Sequence, residues 1–314
     1  MEVQCPLCGS THQKLIEILK VSDIVSLYKK VVGKDFLYLF KGKNIEYYEC
    51  FDCSLLHFSP IVTGDEAFYN RLQQFSWYYL DDKEEYRIAG RFLTNNIKTD
   101  ISVLEVGSGK GAFKRYLKEA DRYVGLEFSK EAIRLAKKNN IMLHAEMIEE
   151  HSIKYPNSYD VVCSFQVLEH AANPRSFIES CLLALKPKGI LIIAVPHEDG
   201  FLKEEVNSLY NMPPHHVTRY SDKTLKDIAQ IFNLELLSIE HEPFSADHLF
   251  PATYSTFQRK FLKPKILELS LKRTLLKFIL KYICRGYLKI FKTRSKKINF
   301  KNGITTVAYY RKSE

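Results

Sequence analysis

Long hydrophobic runs are absent from the sequence. The 314 residues are 46% hydrophobic, but the longest apolar runs, such as Ile190–Val195, are far shorter than the ~20 residues of a membrane-spanning helix. The opening MEVQCPLCGS has no basic stretch followed by an apolar one, which is the pattern of a secretory signal. Glycine (13) and proline (11) are too few for collagen-like or low-complexity architectures. We therefore expect a soluble, cytoplasmic, globular protein.

Acidic residues are scarce in one long segment, residues 259–301. It holds fifteen lysine and arginine residues and one acid, Glu268, so it carries +14, whereas the whole chain carries +9. Its basic residues at four-residue spacing are Arg273, Lys277, Lys281, Arg285 and Lys289, and its apolar stripe is Leu271, Leu275, Phe278, Ile279, Tyr282 and Ile283. The pattern predicts a basic helical insertion at 245–302. Such a helix can contact an anionic membrane surface, bind nucleic acid, or present a solvated outer face above a packed inner one.

From residue 101 onward, short apolar strands alternate with amphipathic helices. The predicted strands are Ile101–Val106, Tyr123–Phe128, Ile141–His144, Tyr159–Phe165, Ile190–Val195, Leu234–Glu240 and Gly303–Tyr310. The predicted helices are Phe113–Lys118, Lys130–Asn139, Pro174–Leu185 and Ser221–Phe232. This alternation indicates a parallel sheet covered on both faces.

The first hundred residues have a different pattern. We predict a helix over Leu15–Val32, strands within 36–48, and a mainly helical, aromatic-rich stretch over 61–98 that includes Phe75, Trp77, Tyr78 and Tyr79. The aromatic residues either cap a ligand or pack a core. The predicted organisation is an N-terminal module (1–60), a helical cap (61–98) and an α/β domain (99–314) that contains the insertion.

A glycine-rich loop follows the first predicted strand of the α/β domain. It reads Glu105-Val-Gly107-Ser108-Gly109-Lys-Gly111, and Glu127 ends the next strand. Glycines between a strand and a helix let a ligand approach the backbone, and an acid at the end of the next strand can accept ribose hydroxyls. The GxGxG spacing and the early acid argue against a dinucleotide. The alternative is a tight turn with a surface glutamate.

At these motifs the chain resembles the class I S-adenosylmethionine-dependent methyltransferases. The resemblance covers roughly residues 100–245 and the final strand. It also rests on the segments YDVV (159–162), FQVLEH (165–170) with Asn173-Pro174, and LKPKGI (185–190). It implies a Rossmann-like α/β fold with a seven-stranded sheet whose last strand is antiparallel. It implies S-adenosylmethionine as the cofactor, held by Glu105, Gly107, Ser108, Gly109, Gly111, Glu127, Phe128, Glu146, Phe165 and Gln166.

Two adjacent histidines, His215 and His216, lie in the segment NMPPHHVTRYS between the fifth strand and the next helix. This position falls at the carboxyl end of the sheet, where acceptors bind in this fold. We predict His216 as the general base or acceptor ligand, supported by His215 and Tyr220. The alternative is that these residues only pack the loop. We interpret His170 as structural or adjacent to the cofactor.

Four of the seven cysteines form two CxxC pairs, Cys5/Cys8 and Cys50/Cys53. Four thiolates close a tetrahedral structural Zn²⁺ site without an open position. The 41 residues between the pairs exceed the usual spacing, which predicts an inserted helix and strands. The alternative is two separate thiol pairs or disulfides.

An N-terminal double-CxxC module ahead of this fold resembles bacterial methyltransferases of sugar and surface-glycan biosynthesis. The resemblance implies methyl transfer to a small molecule or glycan, above all a sugar or a lipid- or nucleotide-linked saccharide. Residues 259–301 would then contact the inner membrane surface peripherally. An RNA methyltransferase and a non-catalytic cofactor-binding scaffold are the alternatives, and we rank nucleic acid below the glycan.

Overall fold

The computed structural model describes residues 2–75, 78, 80–97, 100–119, 121–262, 265–291 and 302–314. Trp77 and Tyr79 of the predicted aromatic cap and residues 292–301 of the basic insertion lie outside the described residues, as does the side chain of Arg273.

The central element is a seven-stranded sheet. Its strands are β4 (Ser102–Val106), β5 (Arg122–Leu126), β6 (Leu143–His144), β7 (Tyr159–Phe165), β8 (Leu185–Pro196), β10 (Leu234–Pro243) and β11 (Asn302–Lys312). The spatial order is β10-β11-β8-β7-β4-β5-β6, and β11 is antiparallel to both of its neighbours. The central strands are apolar on both faces, because helices cover the sheet on both sides. The predicted α/β fold with an antiparallel last strand is confirmed.

A second, antiparallel sheet is built mainly from the N-terminal residues. It contains β1 (Gln13–Leu19), β2 (Ile45–Cys50), β3 (Leu56–Ser59) and β9 (Thr218–Arg219) in the order β1-β2-β3-β9. The last of these follows the two histidines of the α/β domain, and it pairs with β3. The N-terminal sheet is therefore tied to the segment that carries His215 and His216.

The helices are α1 (Val21–Val32), α2 (Glu66–Leu72), α3 (Glu84–Asn96), α4 (Lys130–Lys138), α5 (Ile148–Lys154), α6 (Pro174–Ala184), α7 (Asp222–Ile231), α8 (Leu249–Phe261) and α9 (Leu271–Phe291). Short 3₁₀ turns cover Leu37–Phe40, Ala112–Tyr116, Leu168–His170, Phe201–Glu204, Leu209–Asn211 and Ala246–His248. None of the described helices is both long enough and apolar enough to cross a membrane.

Three local predictions were wrong. Residues Leu15–Leu19 belong to β1 rather than to a helix, because they pair with β2, and the helix begins only at Val21. Within 36–48 a 3₁₀ turn precedes the strand that begins at Ile45. The predicted helix Phe113–Lys118 is one 3₁₀ turn, Ala112–Tyr116, which follows a left-handed Gly111.

Candidate active site

The glycine loop leaves β4 and turns beneath the carboxyl edge of the sheet. Gly107, Gly109 and Gly111 all have positive φ (70°, 54° and 74°), which non-glycine residues rarely adopt. A Cβ at Gly107 would lie 2.4 Å from the Val167 side chain. Ser108 is buried, and its N–H donates to the Leu126 carbonyl at 2.9 Å, which joins the loop to β5. The loop therefore needs glycine both for its backbone angles and for its close packing.

Glu127 follows β5 and faces this loop. Its two carboxylate oxygens accept the backbone N–H groups of Gly109 and Ser129, each at 2.8 Å. These bonds fix the carboxylate, and each oxygen keeps a second lone pair that can accept a ligand hydroxyl. Burial raises its pKa above the ordinary value. The arrangement fits the ribose of S-adenosylmethionine.

Glu105, the last acid of β4, is 1% exposed. Tyr123 donates its hydroxyl to Oε2, while Oε1 has no hydrogen-bond partner among the described residues. Burial raises its pKa to about 8. A buried, unpartnered acceptor beside a glycine loop is expected where a ligand completes the hydrogen bonding.

Phe128 and Glu146, two further predicted cofactor residues, differ in how much of each side chain is available to a ligand. The Phe128 ring is 56% exposed next to Glu127, so it is free to stack on a ligand. Glu146 accepts from His151 at 3.0 Å and Lys154 at 3.1 Å, so α5 already engages its carboxylate.

Phe165 and Gln166 end β7. The Phe165 ring is buried and lies 5.0 Å from the Tyr86 ring and 4.7 Å from the Phe113 ring. Gln166 has a φ of 57° and donates its side-chain amide to Thr305 at 3.3 Å. Phe165 is thus part of the core under α3, and Gln166 is held against β11.

Three histidines meet at the carboxyl edge of β7. One ring nitrogen from each of His170, His215 and His216 lies within 4.8 Å of the other two. The rings of His215 and His216 are stacked at 4.5 Å. We call these residues the histidine cluster.

Each ring of the histidine cluster has its Nδ1 beside an oxygen. These acceptors are the His215 carbonyl for His170 (2.6 Å), the Tyr210 carbonyl for His215 (2.8 Å) and the Asn211 side-chain oxygen for His216 (3.2 Å). A carbonyl oxygen only accepts, so the proton of each neutral ring resides on Nδ1. Each Nε2 is then left with a lone pair. His215 and His216 are buried and His170 is partly buried, and desolvation lowers the pKa values of all three, that of His170 to about 4.

Glu169 lies against the histidine cluster and was not predicted from the sequence. It is 1% exposed, and neither of its carboxylate oxygens has a hydrogen-bond partner among the described residues. Its Oε1 lies 3.7 Å from His170 Nε2 and 3.9 Å from His216 Nε2. Burial raises its pKa to about 8. Its position after a buried strand in FQVLEH is the sequence signal that could have identified it.

Helix α2 covers this cluster. The Tyr69 hydroxyl is 3.5 Å from His170 Nδ1, and the Phe68 ring lies 6.2 Å from the His215 ring. Asp65 begins the helix by accepting the Phe68 N–H at 2.9 Å. This N-cap stabilises the first turn of α2, from which Phe68 and Tyr69 reach the histidine cluster.

Among the described residues, no hydrogen bond or ring contact joins the Tyr220 side chain to the histidine cluster. It is 1% exposed in the main core, and its hydroxyl accepts from Thr218 at 3.1 Å. Arg219 is also buried; it donates to the Asn211 carbonyl and lies 3.5 Å from Glu198. Arg219 therefore holds the carbonyl of the residue whose side chain fixes His216.

The four cysteines of the CxxC pairs come together. Their Sγ atoms lie within 4.8 Å of one another, with Cys5–Cys53 and Cys8–Cys50 each at 3.6 Å. A tetrahedral Zn²⁺ with Zn–S bonds of about 2.3 Å requires Sγ separations near 3.8 Å. The donor set and spacing fit a structural Zn²⁺ site. Leu7 and Leu55 beside it belong to the main core.

Comparison with known proteins identifies the family. Residues 79–239, just over half of the chain, match the family described as Methyltransferase domain. The Ubiquinone biosynthesis O-methyltransferase of Sodalis glossinidius is 26% identical over 171 residues, which cover 51% of this chain and 66% of that protein. The protein of the same name from Escherichia coli O127:H6 is 32% identical over 110 residues, 31% of this chain and 44% of that protein. The chain thus spans less than two thirds of either relative.

Among solved structures, a SAM dependent methyltransferase from Archaeoglobus fulgidus is similar with 17% identity and a TM-score of 0.47, covering 72% of this chain and 94% of that one. A putative sarcosine dimethylglycine methyltransferase from Galdieria sulphuraria has 16% identity and a TM-score of 0.45, covering 73% and 85%. Because residues 79–239 match the Methyltransferase domain family, the chain belongs to that family.

Proposed function

We propose that this protein transfers a methyl group from S-adenosylmethionine to a hydroxyl oxygen of a small-molecule or glycan acceptor. The acceptor we propose is a sugar or a lipid- or nucleotide-linked saccharide. The observation that carries the proposal is a site made of hydrogen-bond acceptors. It consists of the Nε2 lone pairs of the histidine cluster and the carboxyl group of Glu169, whose oxygens have no hydrogen-bond partner among the described residues. A ligand with several hydroxyl donors complements such a site.

The cofactor would be held by the glycine loop and the two acids beside it. Glu127 would accept hydrogen bonds from the ribose hydroxyls, and Phe128 would stack on the adenine. Oε1 of Glu105 would accept a hydrogen bond from the cofactor or from a bound water. When bound, S-adenosylmethionine supplies an electrophilic methyl group on a sulfonium. The residues of this chain then need to align the acceptor and exclude water.

A hydroxyl is a poor nucleophile, so methyl transfer to it needs a general base that takes up the hydroxyl proton. We propose Nε2 of His216 as that group. Its Nδ1 is fixed by Asn211 at 3.2 Å, so the unprotonated nitrogen has a set direction. In its ionised form, the Glu169 carboxyl group, 3.9 Å from this nitrogen, would stabilise the imidazolium that forms. His215 would support the ring by stacking at 4.5 Å.

Two further features support the same proposal. Relatives that match part of the chain are named O-methyltransferases, which agrees with oxygen as the methylated atom. We also propose that Cys5, Cys8, Cys50 and Cys53 bind one structural Zn²⁺. This site would hold the N-terminal sheet, which pairs through β3 with the strand after His216. A cytoplasmic location with peripheral contact at the inner membrane surface belongs to the proposal as well.

The test uses His216→Gln, because glutamine keeps a polar side chain but offers no imidazole base. His144→Gln is the matched control, since His144 is an exposed histidine at the end of β6. Each protein receives methyl-labelled S-adenosylmethionine and an extract of the source cells. We expect His216→Gln to lose about 100-fold or more of the labelling rate with unchanged cofactor affinity, while the control keeps both. Full labelling by His216→Gln would refute the base assignment.

A further inference from the structure

Helix α9 has apolar residues on two opposite faces. On its inner face Leu280 and Cys284 are buried, and the Cys284 sulfur lies 4.0 Å from the Phe250 carbonyl of α8. On its outer face five large apolar side chains are between 44% and 62% exposed: Leu275, Phe278, Ile279, Tyr282 and Ile283. Five of the six residues of the apolar stripe predicted from the sequence are therefore exposed, and the side chain of the sixth, Leu271, lies outside the described residues.

The spacing of the five residues makes them one surface. Positions 275, 278, 279, 282 and 283 recur at three- and four-residue intervals, so they lie on the same side of the helix over two turns. The Phe278 and Tyr282 rings are in contact at 4.8 Å. We call these five residues the α9 outer face. Single exposed apolar residues are ordinary on protein surfaces, but a contiguous stripe of this kind marks an interaction site.

Positive charge borders this surface. Lys281, Arg285 and Lys289 are exposed at four-residue intervals, and Arg285 lies 6.0 Å from the Tyr282 ring. Among the described residues, no ion pair involves these three. Like charges spaced in this way destabilise an isolated helix unless an anion neutralises them. The sequence around the helix offers little to compensate the positive charge, because residues 259–301 contain a single acid.

We propose that the α9 outer face binds an anionic phospholipid membrane surface, with its apolar side chains entering the headgroup region and the bordering Lys281, Arg285 and Lys289 contacting lipid phosphates. Helices with an apolar face bordered by lysine and arginine bind membranes in this way. Nucleic acid would use the charges but would leave five large apolar residues in water. A second copy would bring two segments of +14 together. The membrane satisfies both features at once.

The experiment is sedimentation of the full chain with vesicles, and it does not depend on methyl transfer. Vesicles of phosphatidylcholine with phosphatidylglycerol are compared with vesicles of phosphatidylcholine alone. The first variant is Phe278→Ser with Ile279→Ser, and the second is Lys281→Glu with Lys289→Glu. The control is Ile153→Ser, because Ile153 is 73% exposed on α5.

We expect the wild type and the control to bind the anionic vesicles and to bind neutral vesicles at least about tenfold more weakly. Each double variant should lose about tenfold or more of the anionic-vesicle binding, and 0.5 M salt should weaken that of the wild type. Binding that the Phe278/Ile279 variant retains would overturn the proposal. So would wild-type protein that ignores both vesicles, or that binds RNA or a second copy through the same five residues.

Discussion

Replacing Glu127 with glutamine should weaken S-adenosylmethionine binding about 100-fold. In the structure the two carboxylate oxygens of Glu127 accept backbone N–H groups at 2.8 Å, from Gly109 and from Ser129. Glutamine keeps one oxygen but places an amide nitrogen, which is a donor, where the other oxygen was. One backbone N–H then faces a donor, and the side chain offers only one acceptor to the two ribose hydroxyls.

The size of the expected loss in affinity follows from the negative charge of the Glu127 carboxylate. A hydrogen bond to a charged group contributes about 1.5–3 kcal/mol. In Glu127→Gln one ribose hydroxyl loses its charged acceptor, and the hydrogen bond of the other hydroxyl is to a neutral oxygen. Together these changes should cost about 3 kcal/mol of binding free energy. Since 1.4 kcal/mol corresponds to a tenfold change in affinity, the expected increase in Kd is about 100-fold.

Isothermal titration of S-adenosylhomocysteine into each protein gives this Kd directly. Glu131→Gln is the control, because Glu131 is an exposed acid four residues away that pairs with Arg134. A 2′-deoxy analogue separates ribose contact from loop distortion. If Glu127 binds the ribose, the substitution should cost less affinity for the analogue than for the parent. A Kd of Glu127→Gln within threefold of the wild-type value would refute the cofactor-site assignment.

Two other perturbations test the buried acid and the cysteine site. The pKa of Glu169 is raised to about 8 from an ordinary value near 4.3, so the folded state keeps a proton that the unfolded state loses between these pH values. The free energy of unfolding should therefore fall as pH rises through this window, by at most ~1.4 kcal/mol per pH unit from this group. Glu169→Gln should show a shallower fall between pH 5 and 8 in urea unfolding; an unchanged slope would contradict the burial argument. For the cysteines, elemental analysis should find one zinc per chain in the wild type and in Cys284→Ser, but none in Cys50→Ser, and a chelator should lower the wild-type Tm. Wild-type protein that contains no metal, and whose Tm does not change with the chelator, would contradict the proposed zinc site.

The seven-stranded sheet could be predicted from the sequence because its strands are short apolar runs separated by helices. Buried parallel strands have this pattern whatever surrounds them. The N-terminal strand could not be predicted in the same way. Residues Leu15–Leu19 continue into an apolar helix, and only the pairing with β2 makes them a strand. Short apolar segments leave this choice to tertiary contacts.

The site was predictable only in part, for a related reason. The glycine loop has a fixed backbone geometry, so its residues stand out in the sequence. The role we propose for Glu169 depends on its proximity to His216, which is distant in the chain, and on the lack of a hydrogen-bond donor to it among the described residues. Tyr220 shows the converse, since it lies four residues after His216 in the sequence but its side chain packs in the main core. Which face of α9 is buried likewise depends on its packing against α8.

Identifying the atom of the product that carries the methyl group would establish whether the protein methylates a hydroxyl oxygen. The protein would be incubated with ¹³C-methyl S-adenosylmethionine and an extract of the source cells, and the labelled product purified and examined by NMR. We expect a new methyl ether on a small molecule or saccharide, absent with His216→Gln. A ¹³C-methyl group on nitrogen, on carbon or in RNA would contradict this prediction.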